Sequence, residues 1–372
     1  MINQRLARLR TAMHDAELEA LFVSSPKNVR YISGARPMMC EIVQPLADPE
    51  YFVLIQPDRC DLLCDGRYFS GVRDLPGVTP QLLETPLTPQ VIGDKIRERL
   101  TPGAKQIGFE RNSLLHGDAL ALLEATDGLD WHGADDLITR LRVLKSPEEC
   151  ETLRRAQAIT CDAFDHVAGI IRLGMTEHQV SRQIESYLCD HSEGNSFHPI
   201  VAFGETGSNA HYTPSPDRKL EKGQLALLDF GAIYDGYCGD LTRMICMGKA
   251  DDRQREVYDL VRTAQQRCLD GVRPGMTTGS LDALCRNFFK ENDCADHFIH
   301  GTGHGVGLAV HEEPRLKQRF ETKTKPGMVF TVEPGLYYEG WGGVRIEDMV
   351  IVTESGCENI TRTSKDLLEL DV

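Results

Sequence analysis

From residue 3 to residue 19 apolar positions recur every three to four residues, which predicts an amphipathic helix. Ala20-Leu-Phe-Val-Ser24 then reads as a buried strand and Ser25-Pro-Lys-Asn28 as a turn. Strand-like runs follow at Tyr51–Gln56, Cys60–Asp65 and Gln106–Glu110, with helical spacing near 89–100. This alternation predicts an α/β domain over residues 1–140. At Ser146-Pro147 an N-cap residue and a first-turn proline introduce a long amphipathic helix reaching about 169, so a second domain is expected over 141–372. It continues into apolar runs around Asp235-Gly236, returns through helices near 252–270 and 278–292, and ends on strands near 328–352.

The second domain carries an internal repeat. Ile171-Arg-Leu-Gly-Met-Thr176 and Val272-Arg-Pro-Gly-Met-Thr277 each open a helix. Gly223 precedes Asp229 and Gly231 by the same offsets at which Gly327 precedes Glu333 and Gly335. Two matches in the same order imply two related halves facing each other across a pseudo-twofold axis.

Acids interrupt the apolar pattern where the halves would meet. Asp235-Gly236 is a two-residue hairpin turn, which sets Asp229 opposite Thr242 and Asp240 opposite Gly231, both acids on one face. Glu333 and Glu347 lie equidistant from Gly340 and fall opposite each other in a second hairpin. Asp348 is expected on the reverse side, with no part in the site, and Asp235 only forms the turn. Four convergent carboxylates cannot stay buried and uncompensated. The segment His300-Gly-Thr-Gly-His-Gly-Val-Gly-Leu-Ala-Val-His311 lies between them, and His304 is its natural nitrogen ligand. Two Asp, two Glu and one His suit two divalent ions arranged for hydrolysis.

Composition narrows the partners. The formal net charge of −15 argues against nucleic acid. No run approaches the roughly 18 apolar residues of a membrane span, and the N-terminus lacks a signal-peptide pattern, so a cytoplasmic protein is expected. The 12 cysteines are scattered and read as reduced core residues, and Cys60 and Cys64, the nearest pair, lack two further zinc partners at usual spacing.

With these motifs the chain resembles the pita-bread metallopeptidases, which include methionine aminopeptidase, aminopeptidase P, prolidase and the metal-free creatinase. Residues 1–140 resemble the creatinase/prolidase N-terminal domain and 141–372 the catalytic domain. The resemblance places the family's five ligands on Asp229, Asp240, His304, Glu333 and Glu347, and implies two divalent ions per chain, Mn²⁺ first, with Co²⁺ or Zn²⁺ as alternatives. Asn195-Ser-Phe-His-Pro-Ile-Val-Ala-Phe-Gly204 and Ser208-Asn-Ala-His-Tyr212 are similar to the Xaa-Pro branch. One departure is the loop Phe203-Gly-Glu-Thr-Gly-Ser208, where relatives usually have a shorter run of small residues.

The resemblance implies short peptides with proline in second position as substrates, and a homodimer. Phe197 and Ile200 match the wall for the proline ring, while His211, His300 and His311 match the branch's histidines. Glu333 would act as general base and then acid, His211 would meet the proline side, and His311 would stabilise the oxyanion. His300 is either pocket wall or support. Arg345 either orients Glu347 or a nearby aspartate, or is an ordinary strand arginine. Arg315 meets a substrate carboxylate or lies on the surface. Gly34–Ile42, with Arg36 and Glu41, is a candidate loop for closing the pocket of a partner subunit. A non-catalytic binding module and methionine aminopeptidase are the alternatives, the first opposed by an intact ligand set and the second by the large N-terminal domain.

Overall fold

The computed structural model describes residues 2–37 and 45–371, which divide at Arg142/Val143 into two compact units. The first contains α1 (Ile2–Asp15), β1 (Ala20–Val23), α2 (Pro26–Ser33), β2 (Tyr51–Ile55), β3 (Cys60–Cys64), α3 (Gly66–Val72), β4 (Thr79–Leu82), α4 (Pro89–Arg99), β5 (Gln106–Phe109), α5 (His116–Ala125) and β6 (Asp130–Gly133), with α6 (Asp135–Val143) running to the boundary. Its six strands lie in the order β4-β3-β2-β1-β5-β6. Every residue of β1, β2 and β3 is buried, and β1 and β2 read as continuous apolar runs, while β3 carries Asp61, whose Oδ1 lies 3.0 Å from Arg99 Nη2.

Ser25-Pro-Lys-Asn28 is not a turn. Ser25 is the N-cap of α2, Pro26 occupies its first turn, and Gly34 ends it at φ 75°. The Ser-Pro pair is the same start signal as Ser146-Pro147, and buried Val29, Tyr31 and Ile32 supply the helix with an inner face. Of the candidate loop Gly34–Ile42, residues 38–42, including Glu41, lie outside the described residues, as does Cys40; Arg36 is exposed. The described cysteines are all free, and burial pushes the Cys60 and Cys64 thiols up to about 12. Among the described residues no helix is long and apolar enough to cross a membrane.

The second unit begins with α7 (Pro147–Ile170), whose start is fixed by a capping box between Ser146 and Glu149, and α8 (Glu177–His191). Then come β7 (Ile200–Phe203), β8 (Leu225–Phe230), β9 (Ile233–Tyr234), β10 (Tyr237–Cys238), β11 (Leu241–Met247), α9 (Asp252–Gly271) and α10 (Thr278–Glu291). The chain closes with β12 (Gly303–Gly305), β13 (Glu312–Leu316), β14 (Val329–Val332), β15 (Gly335–Tyr338), β16 (Gly342–Arg345), β17 (Asp348–Val352), β18 (Cys357–Asn359) and β19 (Leu368–Leu370). Two sheets result, β19-β11-β8-β7 and β13-β12-β14-β17-β18, with the ribbons β9-β10 and β15-β16 beside them.

Period-two alternation decides which core each strand residue enters. Leu228, Phe230, Leu241 and Ile245 pack with Phe164, Val167 and Ile184 of the first helix pair. Leu225, Leu227, Met244 and Cys246 pack with Val261, Leu281, Phe330 and Val350 of the second half. Asp229 and Asp240 share the parity of this second set, so both acids belong to the face turned toward the other half.

Candidate metal centre

Strand register brings the acids together. Thr242 pairs with Asp229, and the ladder continues unshifted to Tyr234↔Tyr237. Asp235 and Gly236 adopt φ 45° and 76°, the left-handed pair of a type I′ turn. In the second hairpin Val332 pairs with Asp348 and Gly335 with Arg345, a register centred on Gly340 that sets Glu333 opposite Glu347. The backbone of Asp240 is pinned from α7: its N–H donates to Gln157 Oε1 at 2.9 Å, and its carbonyl accepts from Gln157 Nε2 at 2.8 Å.

Donor atoms of Asp240, His304 and Glu347 all lie within 4.8 Å of one another, and all three residues are buried. His304 Nε2 stands 3.2 Å from Glu333 Oε1 and 3.6 Å from Asp240 Oδ2. Its Nδ1 is 3.2 Å from the Gly305 carbonyl. Nε2 is therefore the ring nitrogen turned toward the carboxylates, the atom that would serve a cation as ligand.

Arg345 connects the two hairpins. Its guanidinium pairs with Asp229 Oδ2, donates from Nε to Thr242 Oγ1 at 3.0 Å and from Nη1 to Tyr337 Oη at 2.7 Å. Thr242 in turn donates to Glu347 Oε2 at 2.7 Å. Arg345 therefore reaches Asp229 directly and Glu347 through one hydroxyl, which unites the two orientations the sequence left open. Tyr337 Oη also lies 2.8 Å from His300 Nε2, while His300 Nδ1 is 2.7 Å from the Gly301 carbonyl. His300 thus both lines the cavity and supports Arg345 through Tyr337.

The electrostatics are those of a site with surplus negative charge. Burial, then the neighbouring Glu347 and Asp229, hold the Asp240 carboxyl well above its ordinary range. Burial, then Glu333 and Asp229, do the same to Glu347. Asp229 is also raised by burial, against the pull of Arg345. For Glu333 burial opposes ionisation, yet the hydrogen bond and charge of His304 outweigh it and bring the carboxyl down to about 2. Asp229 Oδ1 is buried without a hydrogen-bond partner. An orphaned carboxylate oxygen, two neighbours pushed up by burial and by the charge of the acids around them, and an O/N donor set are what a divalent cation would satisfy.

The acids open into a cavity of about 720 Å³. Phe197 and Ile200 form part of its apolar lining, and His211, His300 and His311 also line it. His211 is exposed, its N–H donating to Asn209 Oδ1 at 3.2 Å. The His311 ring stands 4.3 Å from that of His304, and desolvation followed by His304 lowers its pKa to about 4. Arg315 lines the cavity too, rather than lying away from it.

Asp348 does face away from the acids, but it is no bystander. It is fully buried, 2.6 Å from Arg243 Nη2 and 3.4 Å from Lys365 Nζ, and accepts from Asn359 Nδ2 at 2.7 Å. A carboxylate at the base of a buried strand needs such partners. Sequence reading also missed Gln157, Thr242 and Tyr337 as supports. Thr242 was legible as the partner of Asp229 in the hairpin; Gln157 had no local signal.

Comparison with known proteins gives the family. Residues 151–354 match Metallopeptidase family M24, and residues 5–144 match the Creatinase/Prolidase N-terminal domain. The chain is 33% identical over 367 residues to the uncharacterized peptidase YqhT of Bacillus subtilis, covering 98% of this chain and 100% of that one. It is 32% identical to the Xaa-Pro dipeptidase of Pyrococcus furiosus, covering 99% of this chain and 100% of that one. The solved Xaa-Pro dipeptidase from Bacillus anthracis superposes with a TM-score of 0.91 at 33% identity, over 100% of both chains. The chain therefore belongs to metallopeptidase family M24, a pita-bread catalytic region that follows a Creatinase/Prolidase N-terminal domain.

Proposed function

We propose that this chain hydrolyses the bond between an N-terminal residue and a following proline, with Xaa-Pro dipeptides as its substrate class. The observation that carries the reading is one cavity that joins the Asp240–His304–Glu347 cluster to the apolar side chains of Phe197 and Ile200 and to three further histidines. The relatives named Xaa-Pro dipeptidase support the choice of bond.

Asp229, Asp240, His304, Glu333 and Glu347 would hold two divalent ions, Mn²⁺ first. When bound, such ions supply a Lewis acid for the carbonyl and a water that loses its proton near neutrality. Glu333 accepts the proton of the attacking water and returns it to the departing proline nitrogen. His311 donates to the carbonyl oxygen as negative charge develops there. His211 meets the proline side of the scissile bond. Phe197 and Ile200 pack on the ring, which compensates for an amide that has no N–H to offer a hydrogen-bonding site. Arg345 holds Asp229 and, through Thr242, Glu347 in the ligating orientation. The same reading takes the enzyme as a homodimer, on the family resemblance, and as cytoplasmic, on the apolar pattern of the sequence.

The test uses chelator-stripped and Mn²⁺-reloaded protein against an Xaa-Pro dipeptide, its Xaa-Ala counterpart and an Xaa-Pro-Yaa tripeptide. Cleavage of the Xaa-Pro dipeptide is expected, abolished by stripping, restored by Mn²⁺, and slower on the tripeptide. Full activity in stripped protein, or equal cleavage of Xaa-Ala, overturns the proposal.

A further inference from the structure

Behind the turn that carries His311 lies a buried ion pair with no direct contact to the acid cluster. Lys145 Nζ is 2.9 Å from Glu312 Oε1, with the two side chains 1% and 7% exposed. The Lys145 backbone is anchored as well, its N–H donating to the Gly327 carbonyl at 2.9 Å. Glu312 follows His311 in sequence and opens β13. Its Oε2 accepts the Ala309 N–H at 3.4 Å, and a Cβ at Gly307 would collide with its carboxylate. Gly307 donates its N–H to the Ala309 carbonyl at 3.0 Å and accepts from Cys238 N at 2.8 Å, two residues before Asp240. A carboxylate thus fills the inside of the Gly307–His311 turn, and Lys145 holds that carboxylate in place.

Stability alone does not explain the pair. Two desolvated charges are commonly matched or bettered by apolar side chains of similar volume. What apolar groups cannot do is receive the Ala309 N–H and fix the direction of the turn around a glycine. We infer that Lys145 and Glu312 are positioning residues that hold the Gly307–His311 turn and so aim the His311 imidazole into the cavity. The inference rests on the role given to His311 in the proposed function.

The test is a set of cycles in Mn²⁺-loaded protein: Lys145→Met with Glu312→Leu as a volume-filling pair, Glu312→Gln alone and Lys145→Arg as the conservative change, each in wild-type and His311→Ala backgrounds. The paired and Glu312→Gln variants are expected to lower kcat on an Xaa-Pro dipeptide by about 10- to 100-fold with little change in KM. Lys145→Arg keeps most of the turnover. The paired variant melts close to wild type while the Ala309 amide exchanges faster with deuterium, a readout independent of activity. In the His311→Ala background the same substitutions cost less than about twofold, because the group they aim is gone. Equal penalties in both backgrounds, or unchanged kcat in Glu312→Gln, overturn the inference while leaving the proposed function intact. Should His311→Ala itself keep full turnover, the assigned role of His311 falls and the inference with it. If the paired variant does not fold, Glu312→Gln and Lys145→Arg decide the same question.

Discussion

In the first half of the catalytic unit Thr176 caps α8 and bridges Lys219; in the second Thr277 caps α10 and bridges Lys323. Gly223 donates to the Met247 carbonyl as Gly327 does to that of Val352. The backbones repeat, but the charges do not. The first half contributes Asp229 and Asp240 to the centre, whereas the second adds His304 and Arg345 to its own Glu333 and Glu347. Glu333, beside His304, is held low, while the three other acids are raised. Each half also completes the other: Arg345 pairs with Asp229, and Thr242 donates to Glu347. A duplicated frame places four acids symmetrically, and asymmetric decoration gives them different electrostatic surroundings.

The largest break in this comparison is at Arg243. Aligning Asp240 with Glu347 sets Arg243 against Val350, so the guanidinium at this position has no counterpart in the second half. Arg243 donates to the carbonyls of Thr242 and Glu347, to Asp348, and to the carbonyls of Thr363 and Ser364. Arg243→Met leaves those carbonyls without this donor and Asp348 with Lys365 and Asn359 as its remaining partners. A loss of about 3–5 kcal/mol is expected in urea unfolding. A loss below about 1 kcal/mol would mean the cross-half staple is dispensable.

Removing the cation exposes the next difference. A folded state that keeps Asp240 protonated above the unfolded carboxyl range binds a proton the unfolded chain has released, so this group's contribution to stability falls as pH rises through that interval. His300 and His311, both held low, act in the opposite direction, so the quantity to read is variant minus wild type. In metal-stripped protein Asp240→Asn should raise the melting temperature at pH 7.5 by about 2–4 °C, equivalent to about 1 kcal/mol, with the gain shrinking toward pH 5. Added Mn²⁺ should reverse the order, stabilising wild type and not the variant. Equal melting at all pH values would remove charge repulsion from the account of the centre.

How much of this was legible follows from where the partners lie. The register of both hairpins could be read because each has a local centre, Asp235-Gly236 in one and Gly340 in the other. The start of α7 was equally local, a Ser-Pro pair three residues from its reciprocating Glu149. The same signal at Ser25-Pro26 reads as a turn because α2 has only 8 residues and little room to show a period. Short α3, and α5 with its exposed Leu115 and Leu120 flanking a thin buried face, were not anticipated for the same reason. Within the site, the acids and histidines stand out by residue type. Their supports do not: Gln157 meets Asp240 from 83 residues away and Lys145 meets Glu312 from 167. Such pairings are set by how distant segments of the unit pack together, which no local window contains.

The smallest effects test whether the repeat is energetic as well as geometric. Thr176 Oγ1 accepts the Gln179 N–H at 3.1 Å, and Gln179 Oε1 accepts the Thr176 N–H at 2.9 Å. Thr277 Oγ1 accepts the Ser280 N–H at 3.2 Å, but Ser280 turns its hydroxyl to the Thr277 carbonyl instead of reciprocating. Thr176→Ala and Thr277→Ala each lose one acceptor for one helix-start N–H and should cost about 1 kcal/mol apiece in urea unfolding. Gln179→Ala should add a cost of about 0.5 kcal/mol that Ser280→Ala does not, because of these two helices only α8 closes a capping box. The two threonine substitutions sit on separate helices with no shared partner, so the double variant should be additive within about 0.5 kcal/mol. Matching threonine costs with unequal third-position costs would place the divergence of the halves in side chains laid over a common backbone; unequal threonine costs would put it in the backbone itself.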